Sequence, residues 1–183
     1  MTDPLKLFHE WVDGDQMAIA TATPDGRPSV RMLLLKSADE RGFTFFTGYT
    51  SRKGRELEAN PQAALLFHWR PLGRQVRVEG RIERVSAEES DAYFATRPRD
   101  AQVGALASRQ SDPLASRTEL YNRLAELERD LGGGKVPRPP TWGGFLLAPA
   151  AWEFWQHRDS RLHDRFRYER EPDDGWSVAR LFP

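Results

Sequence analysis

Near the C-terminus, Arg161-Leu162-His163-Asp164-Arg165-Phe166 places two guanidinium groups, an imidazole and a carboxylate within a few positions of one another. As an extended strand this segment puts Arg161, His163 and Arg165 on one face and Leu162, Asp164 and Phe166 on the other, because side chains alternate along a strand. Such a row repels itself unless an anion answers it; the competing reading is a solvated strand edge whose charges deter aggregation. A second cationic point is Ser51-Arg52-Lys53. Ser51 can cap a helix running through Glu58 to a stop at Asn60-Pro61, and the free N–H groups and dipole at that end favour an anion. Arg52 and Lys53 add mobile donors suited to phosphate, against the alternative of a solvated first turn. Cations at this end oppose the dipole and therefore call for a counter-charge.

The elements that must hold these groups are mostly strands. Pro4 to Val12 has helical apolar spacing, and Met17–Thr23 and Val30–Leu35 form a hairpin about the turn Pro24-Asp25-Gly26-Arg27-Pro28. A turn over Ala38–Gly42 leads to an aromatic, β-branched strand, Phe43–Thr47. Ala63–Trp69 and Gln75–Val85 follow, the latter alternating with Val76, Val78 and Ile82 inward. Ser86-Ala87-Glu88-Glu89 is a capping box that opens a helix ending near Arg97-Pro98, and two more helices cover Asp100–Ala107 and Ser116–Leu131. Leu120, Leu124, Leu127 and Leu131 give the last one an apolar stripe for packing. After a Gly- and Pro-rich loop, Trp142–Ala148, Trp152–Trp155, Leu162–Glu169 and Trp176–Leu181 read as closing strands. The sum is seven or eight antiparallel strands with peripheral helices, a mainly β (α+β) barrel-like fold. No Gly-rich loop follows a parallel strand, which excludes a Rossmann reading.

The chain has 183 residues, enough for one domain, and its 27 lysines and arginines balance 27 aspartates and glutamates. No global basic field draws nucleic acid, so anion binding must be local. Without cysteine there is no disulfide framework and no thiolate, and four scattered histidines offer no metal site. The acidic residues among Met1–Met17 interrupt any signal-peptide core, and no stretch approaches membrane-spanning length. A cytoplasmic protein without a membrane partner is expected.

Six motifs stand in order: Arg31-Met32-Leu33-Leu34-Leu35-Lys36, Ser51-Arg52-Lys53, Arg97-Pro98-Arg99-Asp100-Ala101-Gln102-Val103-Gly104-Ala105, Ser108-Arg109-Gln110-Ser111, Trp142-Gly143-Gly144-Phe145 and Arg161-Leu162-His163-Asp164-Arg165. Together they resemble the pyridoxine/pyridoxamine 5'-phosphate oxidase family over nearly the whole chain. The resemblance implies an FMN-binding split β-barrel spanning residues 1–183 as a single domain with a short N-terminal arm, and a homodimer holding FMN between its subunits. It implies cofactor contacts from Arg31, Met32, Phe46, Thr47, Arg52, Lys53 and Gln75, with Thr47 and Gln75 on neighbouring strands. Gln110 and Ser111 are implied to reach the partner subunit's flavin, and Trp155 and Arg165 to line its ring. Lys36, Tyr93 and Arg97 would grip a substrate 5'-phosphate, while Arg161 and His163 would meet the pyridine ring and its reacting C4' side as the catalytic pair. The implied reaction oxidises pyridoxamine or pyridoxine 5'-phosphate to pyridoxal 5'-phosphate with O2, yielding H2O2.

Ala101 departs from the family pattern, which places a serine there on the substrate phosphate. Two rival readings are a flavin oxidase of the phenazine pathway, which shares the Ser-Arg-Gln-Ser and Arg-Leu-His stretches, and a non-catalytic binder of FMN, haem or pyridoxal phosphate. Against the first, Lys36, Tyr93 and Arg97 make a phosphate grip that a carboxylated tricycle would not need; against the second, two separate cationic sets, Arg52 with Lys53 and Lys36 with Arg97, imply two phosphate pockets and hence two ligands.

Overall fold

The computed structural model describes residues 3–183. In chain order the elements are α1 (Pro4–Trp11), β1 (Gln16–Ala22), β2 (Pro28–Leu34), β3 (Ser37–Asp39), β4 (Gly42–Gly48), α2 (Arg52–Ala59), β5 (Gln62–Trp69), β6 (Arg74–Arg84), α3 (Ala87–Thr96), α4 (Arg99–Ala107), α5 (Arg117–Leu131), β7 (Trp142–Gln156), β8 (Asp164–Arg170) and β9 (Trp176–Arg180). Every strand pairing is antiparallel, and the sheet runs β2-β1-β5-β6-β7-β4-β3, with β8 added to β7 and β9 to β8. The sheet curls into a split barrel with helices outside it. Among the described residues no helix is long and apolar enough to cross a membrane.

The barrel splits at β7. The sequence pattern suggests two strands here, Trp142–Ala148 and Trp152–Trp155, but the chain runs through as one strand of 15 residues. One edge pairs with β6 from Phe145 to Gln156, while the other is divided: β4 takes Trp142–Leu147 and β8 takes Ala151–Gln156. At the division the β6 partners step from Gly80↔Pro149 to Glu79↔Ala151, leaving Ala150 as an extra residue. Proline lacks the N–H a central ladder needs, so a bulge where the edge changes partner is a place it can occupy. Gly80 makes the bulge possible: a Cβ there would lie 2.0 Å from the Ala148 carbonyl oxygen.

Two other expectations are corrected. β8 begins at Asp164, because the chain before it turns through a short 3-10 segment in which Ser160 and Arg161 have φ of 55° and 62°. The alternation that would align Arg161 with His163 and Arg165 therefore does not apply. The Ala38–Gly42 region is also more than a turn, since Ser37–Asp39 forms the edge strand β3 against β4.

Inside the barrel, α1 inserts Phe8 edge-on against Phe43 and Phe67, each with ring centroids 5.0 Å away. Ile19, Phe45, Leu65, Val76, Val78 and Phe154 complete this core. A smaller cluster of Phe94, Val103 and Val136 receives Leu124, Leu127 and Leu131, so the α5 stripe does pack, although no residue of α5 is fully buried.

Gly80→Ala tests the bulge. The carbonyl it would meet is backbone and cannot yield without disturbing the β6–β7 ladder, so a loss of about 2–3 kcal/mol, at the upper end of overpacking costs, is expected in urea denaturation.

Candidate functional site

The site assembles at both ends of β7. At the first end, Ser51 caps α2 by accepting the Gly54 N–H at 3.2 Å, which fixes where Arg52 and Lys53 leave the helix. Lys53 is not a mobile donor as expected: it is 6% exposed, and its Nζ donates to Thr47 Oγ1 (2.9 Å), Ser51 Oγ (3.3 Å) and Gln110 Oε1 (3.3 Å). All three acceptors are neutral. Burial, and then the nearby Arg31 charge, bring the Lys53 ammonium down to about 8.

Arg52 finds its counter-charge one turn along its own helix. Its Nε donates to Glu56 Oε1 at 2.9 Å, and Glu56 is itself only 5% exposed on its side chain. The other carboxylate oxygen accepts from the hydroxyls of Thr21 and Ser29 and lies 3.4 Å from the Arg31 guanidinium. Arg31 also donates to Thr21 Oγ1 and the Ile19 carbonyl. Burial alone would push the Glu56 carboxyl up, but Ser29, Thr21 and Arg52 outweigh it and hold the group at about 2. The corner thus contains three cations and one carboxylate, a surplus of two positive charges that suits a phosphate dianion.

Thr47 and Gln110 join this corner to a cleft of about 650 Å³, which is also lined by Met32, Lys36, Phe46, Tyr93, Arg97, Ala101 and Trp142. Its wall is an aromatic stack: Phe46 lies 4.0 Å from Tyr93 and 5.6 Å from Trp142 between ring centroids. Arg97 lies over the Trp142 ring at 4.8 Å, and its Nη1 is buried with no hydrogen-bond partner among the described residues. Among the described residues, the ion-pair partner of Lys36 is an exposed Asp15 at 3.6 Å. A cleft with a flat apolar wall and two incompletely answered cations can hold a planar, phosphorylated ring.

At the other end, Gln75 of β6 and Arg165 of β8 flank Trp155 of β7 in register. Arg165 is fixed by Glu153, a carboxylate 4% exposed, through Nε at 2.8 Å and Nη2 at 2.7 Å, and Glu153 also accepts from Arg77 at 2.8 Å. The His163 ring lies 4.6 Å from Trp155, and its Nδ1 accepts the Arg158 backbone N–H at 3.1 Å. Since Nδ1 is the acceptor, the proton of the imidazole resides on Nε2. Asp164 accepts from Arg158 Nε at 2.7 Å, closing the loop that presents Arg161, which is exposed and left-handed. Ser111, φ 74°, stands outside both groups on the loop after α4.

Within one chain these two groups do not meet. Thr47 pairs with Gly143 and Gln75 with Trp155, so β7 separates their strands, and the two positions are roughly 35–40 Å apart along it. Thr47 and Gln75 are therefore not on neighbouring strands. Gln110, for which a place on the partner's flavin is expected, lies in this chain on its own Thr47, Gly48 and Lys53. The sequence reading missed Glu56 and Glu153 as anchors; the available signals were Arg52–Glu56 spacing of four and a lone acid within Trp152-Glu153-Phe154-Trp155.

Comparison with known proteins points in one direction. Residues 8–128 match the family model described as pyridoxamine 5'-phosphate oxidase, and residues 142–183 match that of the pyridoxine 5'-phosphate oxidase C-terminal dimerisation region. The pyridoxine/pyridoxamine 5'-phosphate oxidase of Rubrobacter xylanophilus is 58% identical over 99% of this chain and 87% of its own. That of Gluconobacter oxydans is 55% identical, over 99% and 94%. The crystal structure of PhzG from Burkholderia lata, in complex with tetrahydrophenazine-1-carboxylic acid, matches with a TM-score of 0.93 at 37% identity, covering 100% of this chain and 94% of that one.

The depressed Lys53 gives a pH signature. Between about 8 and its unfolded value near 10.4 the unfolded chain holds more protons than the folded one, so the ligand-free protein gains stability as pH rises through that window. Denaturant titrations at pH 7.5 and 9.5 should show a gain of about 2 kcal/mol from this group, absent in Lys53→Met.

Proposed function

From the premise that the chain belongs to the pyridoxine/pyridoxamine 5'-phosphate oxidase family, we infer that it is an FMN-dependent oxidase converting pyridoxamine or pyridoxine 5'-phosphate to pyridoxal 5'-phosphate. The observation that carries the substrate side is the cleft in which Lys36, Tyr93 and Arg97 converge, with Arg97 Nη1 unanswered. Bound FMN supplies the two-electron oxidation of the substrate's C4' and the reduction of O2 to H2O2. Residues 1–183 act in this reading as one FMN-binding split-barrel domain in a cytoplasmic homodimer.

The chain's own residues bind, orient and polarise. Arg31, Arg52 and Lys53 hold the FMN phosphate with a surplus of positive charge, and Met32, Phe46, Thr47 and Gln110 border the cofactor on the same side. Gln75, Trp155 and Arg165 flank the flavin ring, with Ser111 contributing from its loop. The Arg165 guanidinium, clamped by Glu153, gives a fixed cation where negative charge develops. Lys36, Tyr93 and Arg97 take the substrate phosphate, and Arg161 and His163 face the pyridine ring. Because Nε2 carries the proton, His163 meets a substrate oxygen as a hydrogen-bond donor. The separation of the two groups along β7 supports a site completed by a second chain, as does the apolar row Val30, Met32 and Leu34, which are 69%, 62% and 47% exposed on edge strand β2.

A tricyclic substrate is the second reading, favoured by the close match to PhzG and by Ala101 in the cleft. The two cations beside Ala101 weigh against it, because a carboxylated tricycle needs no phosphate grip.

Aerobic turnover of the FMN-bound protein with pyridoxamine 5'-phosphate should yield pyridoxal phosphate and peroxide in equal amounts. Arg161→Ala should lower kcat by about 100-fold or more while flavin absorbance stays with the protein, and Lys53→Ala should release flavin with a lesser effect on saturated turnover. Equal effects of both variants on both readouts would refute this division of roles; oxidation of a tetrahydrophenazine carboxylate alone would move the second reading to the front.

A further inference from the structure

Glu56 has no role in the reaction as set out above, yet it is the most heavily engaged buried acid near the phosphate corner. We propose that Glu56 is the positioning residue of that corner: its carboxylate fixes Arg31 and Arg52 and cancels one of three positive charges, matching the corner to a phosphate dianion. This deepens the FMN reading and rests on it.

Three observations carry the inference. The first is connectivity: Glu56 accepts from Thr21 on β1, from Ser29 and Arg31 on β2 and from Arg52 on its own helix, so one side chain ties α2 to both strands of the hairpin. Removing it frees Arg52 and takes the counter-charge from Arg31, which keeps its bonds to Thr21, Ser29 and the Ile19 carbonyl. The second is its ionisation. Hydroxyl and guanidinium donors hold the carboxyl at about 2 in spite of burial, so its charge is constant at every pH at which a phosphate ester is a dianion. The third is the charge environment of Lys53, whose hydrogen-bond partners Thr47, Ser51 and Gln110 are all neutral. Arg31 already depresses Lys53, and Arg55 in the next turn faces Asp112 at 3.9 Å, so Glu56 is the acid that contacts the arginines of the corner. Without it a third uncompensated charge would drive Lys53 towards its neutral form.

A purely structural role for a buried ion pair is a weak expectation, because well-packed neutral groups often stabilise a fold as well or better. What a neutral replacement cannot supply is the fixed fork of two arginines and the charge match. Glu56→Gln keeps the volume and one acceptor, and removes the charge.

The test compares FMN with riboflavin, which lacks the phosphate, in titrations of the flavin-free protein followed by flavin fluorescence from pH 6 to 9.5. Wild type should prefer FMN, with affinity falling above about pH 8 as Lys53 loses its proton. Glu56→Gln should lose about tenfold or more in FMN affinity with riboflavin affinity unchanged, and the alkaline fall should move to lower pH. Ser29→Ala, which keeps the charge but removes one tether, should lose about threefold in the same ratio with the alkaline fall in place. A wild-type ratio and an unmoved alkaline limb in Glu56→Gln overturn the proposal. Should that variant fail to fold, an unchanged ratio in Ser29→Ala overturns it instead. A wild type that does not distinguish FMN from riboflavin defeats the FMN reading itself.

Discussion

A strand edge can form one ladder at a time, and the outer edge of β7 serves two strands in succession. β4 occupies its first half and β8 its second, so the pleat must break between them, and the break falls where Pro149 offers no donor and Gly80 leaves room for the Ala148 carbonyl. This division fixes the rest of the architecture. It sends Thr47 and the α2 corner to one end of the barrel and Trp155, His163 and Arg165 to the other. The second group lies within residues 142–183, the part of the chain that matches the family's C-terminal dimerisation region.

Each end solves the same electrostatic problem in the same way. The arginines at each end are paired with a buried glutamate, Glu56 for Arg31 and Arg52, Glu153 for Arg165 and Arg77. A guanidinium held on one side by a carboxylate keeps its remaining donors aimed in one direction, and loses less conformational entropy when the ligand arrives. Lys53 is treated differently, surrounded by neutral oxygens that leave its charge only partly compensated. Strain follows the same distribution: Ser111, Ser160 and Arg161, three of the four non-glycine residues with positive φ among the described residues, lie in the segments expected to reach ligand.

Much of this was legible in the sequence wherever the signal was local. The caps Ser51 and Ser86 each accept the backbone N–H three residues on, as their spacing implies, and the inward alternation of Val76, Val78 and Ile82 holds. The six ordered motifs carried the family. What escaped notice depends on contacts distant in sequence. Nothing near Pro149 announces that β6 will run past it unbroken, so one strand looked like two. The Arg161-Leu162-His163 stretch alternates like a strand, but the Arg158–Asp164 pair folds it into a loop. The partners of Glu56 beyond its own helix, Thr21 and Ser29, lie across the hairpin, 35 and 27 residues away.

The distance between the two ends along β7 also has a genetic consequence. On the reading proposed above, each site of the dimer takes its phosphate corner from one chain and its Arg161–His163 loop from the other, so damage at opposite ends would not be additive. A chain disabled at Lys53 and a chain disabled at Arg161, each inert by itself, would on mixing form heterodimers in which both defects fall in one site and the second site is whole. Two null alleles of this kind would complement each other within a single cell, whereas two alleles altered at the same end would not.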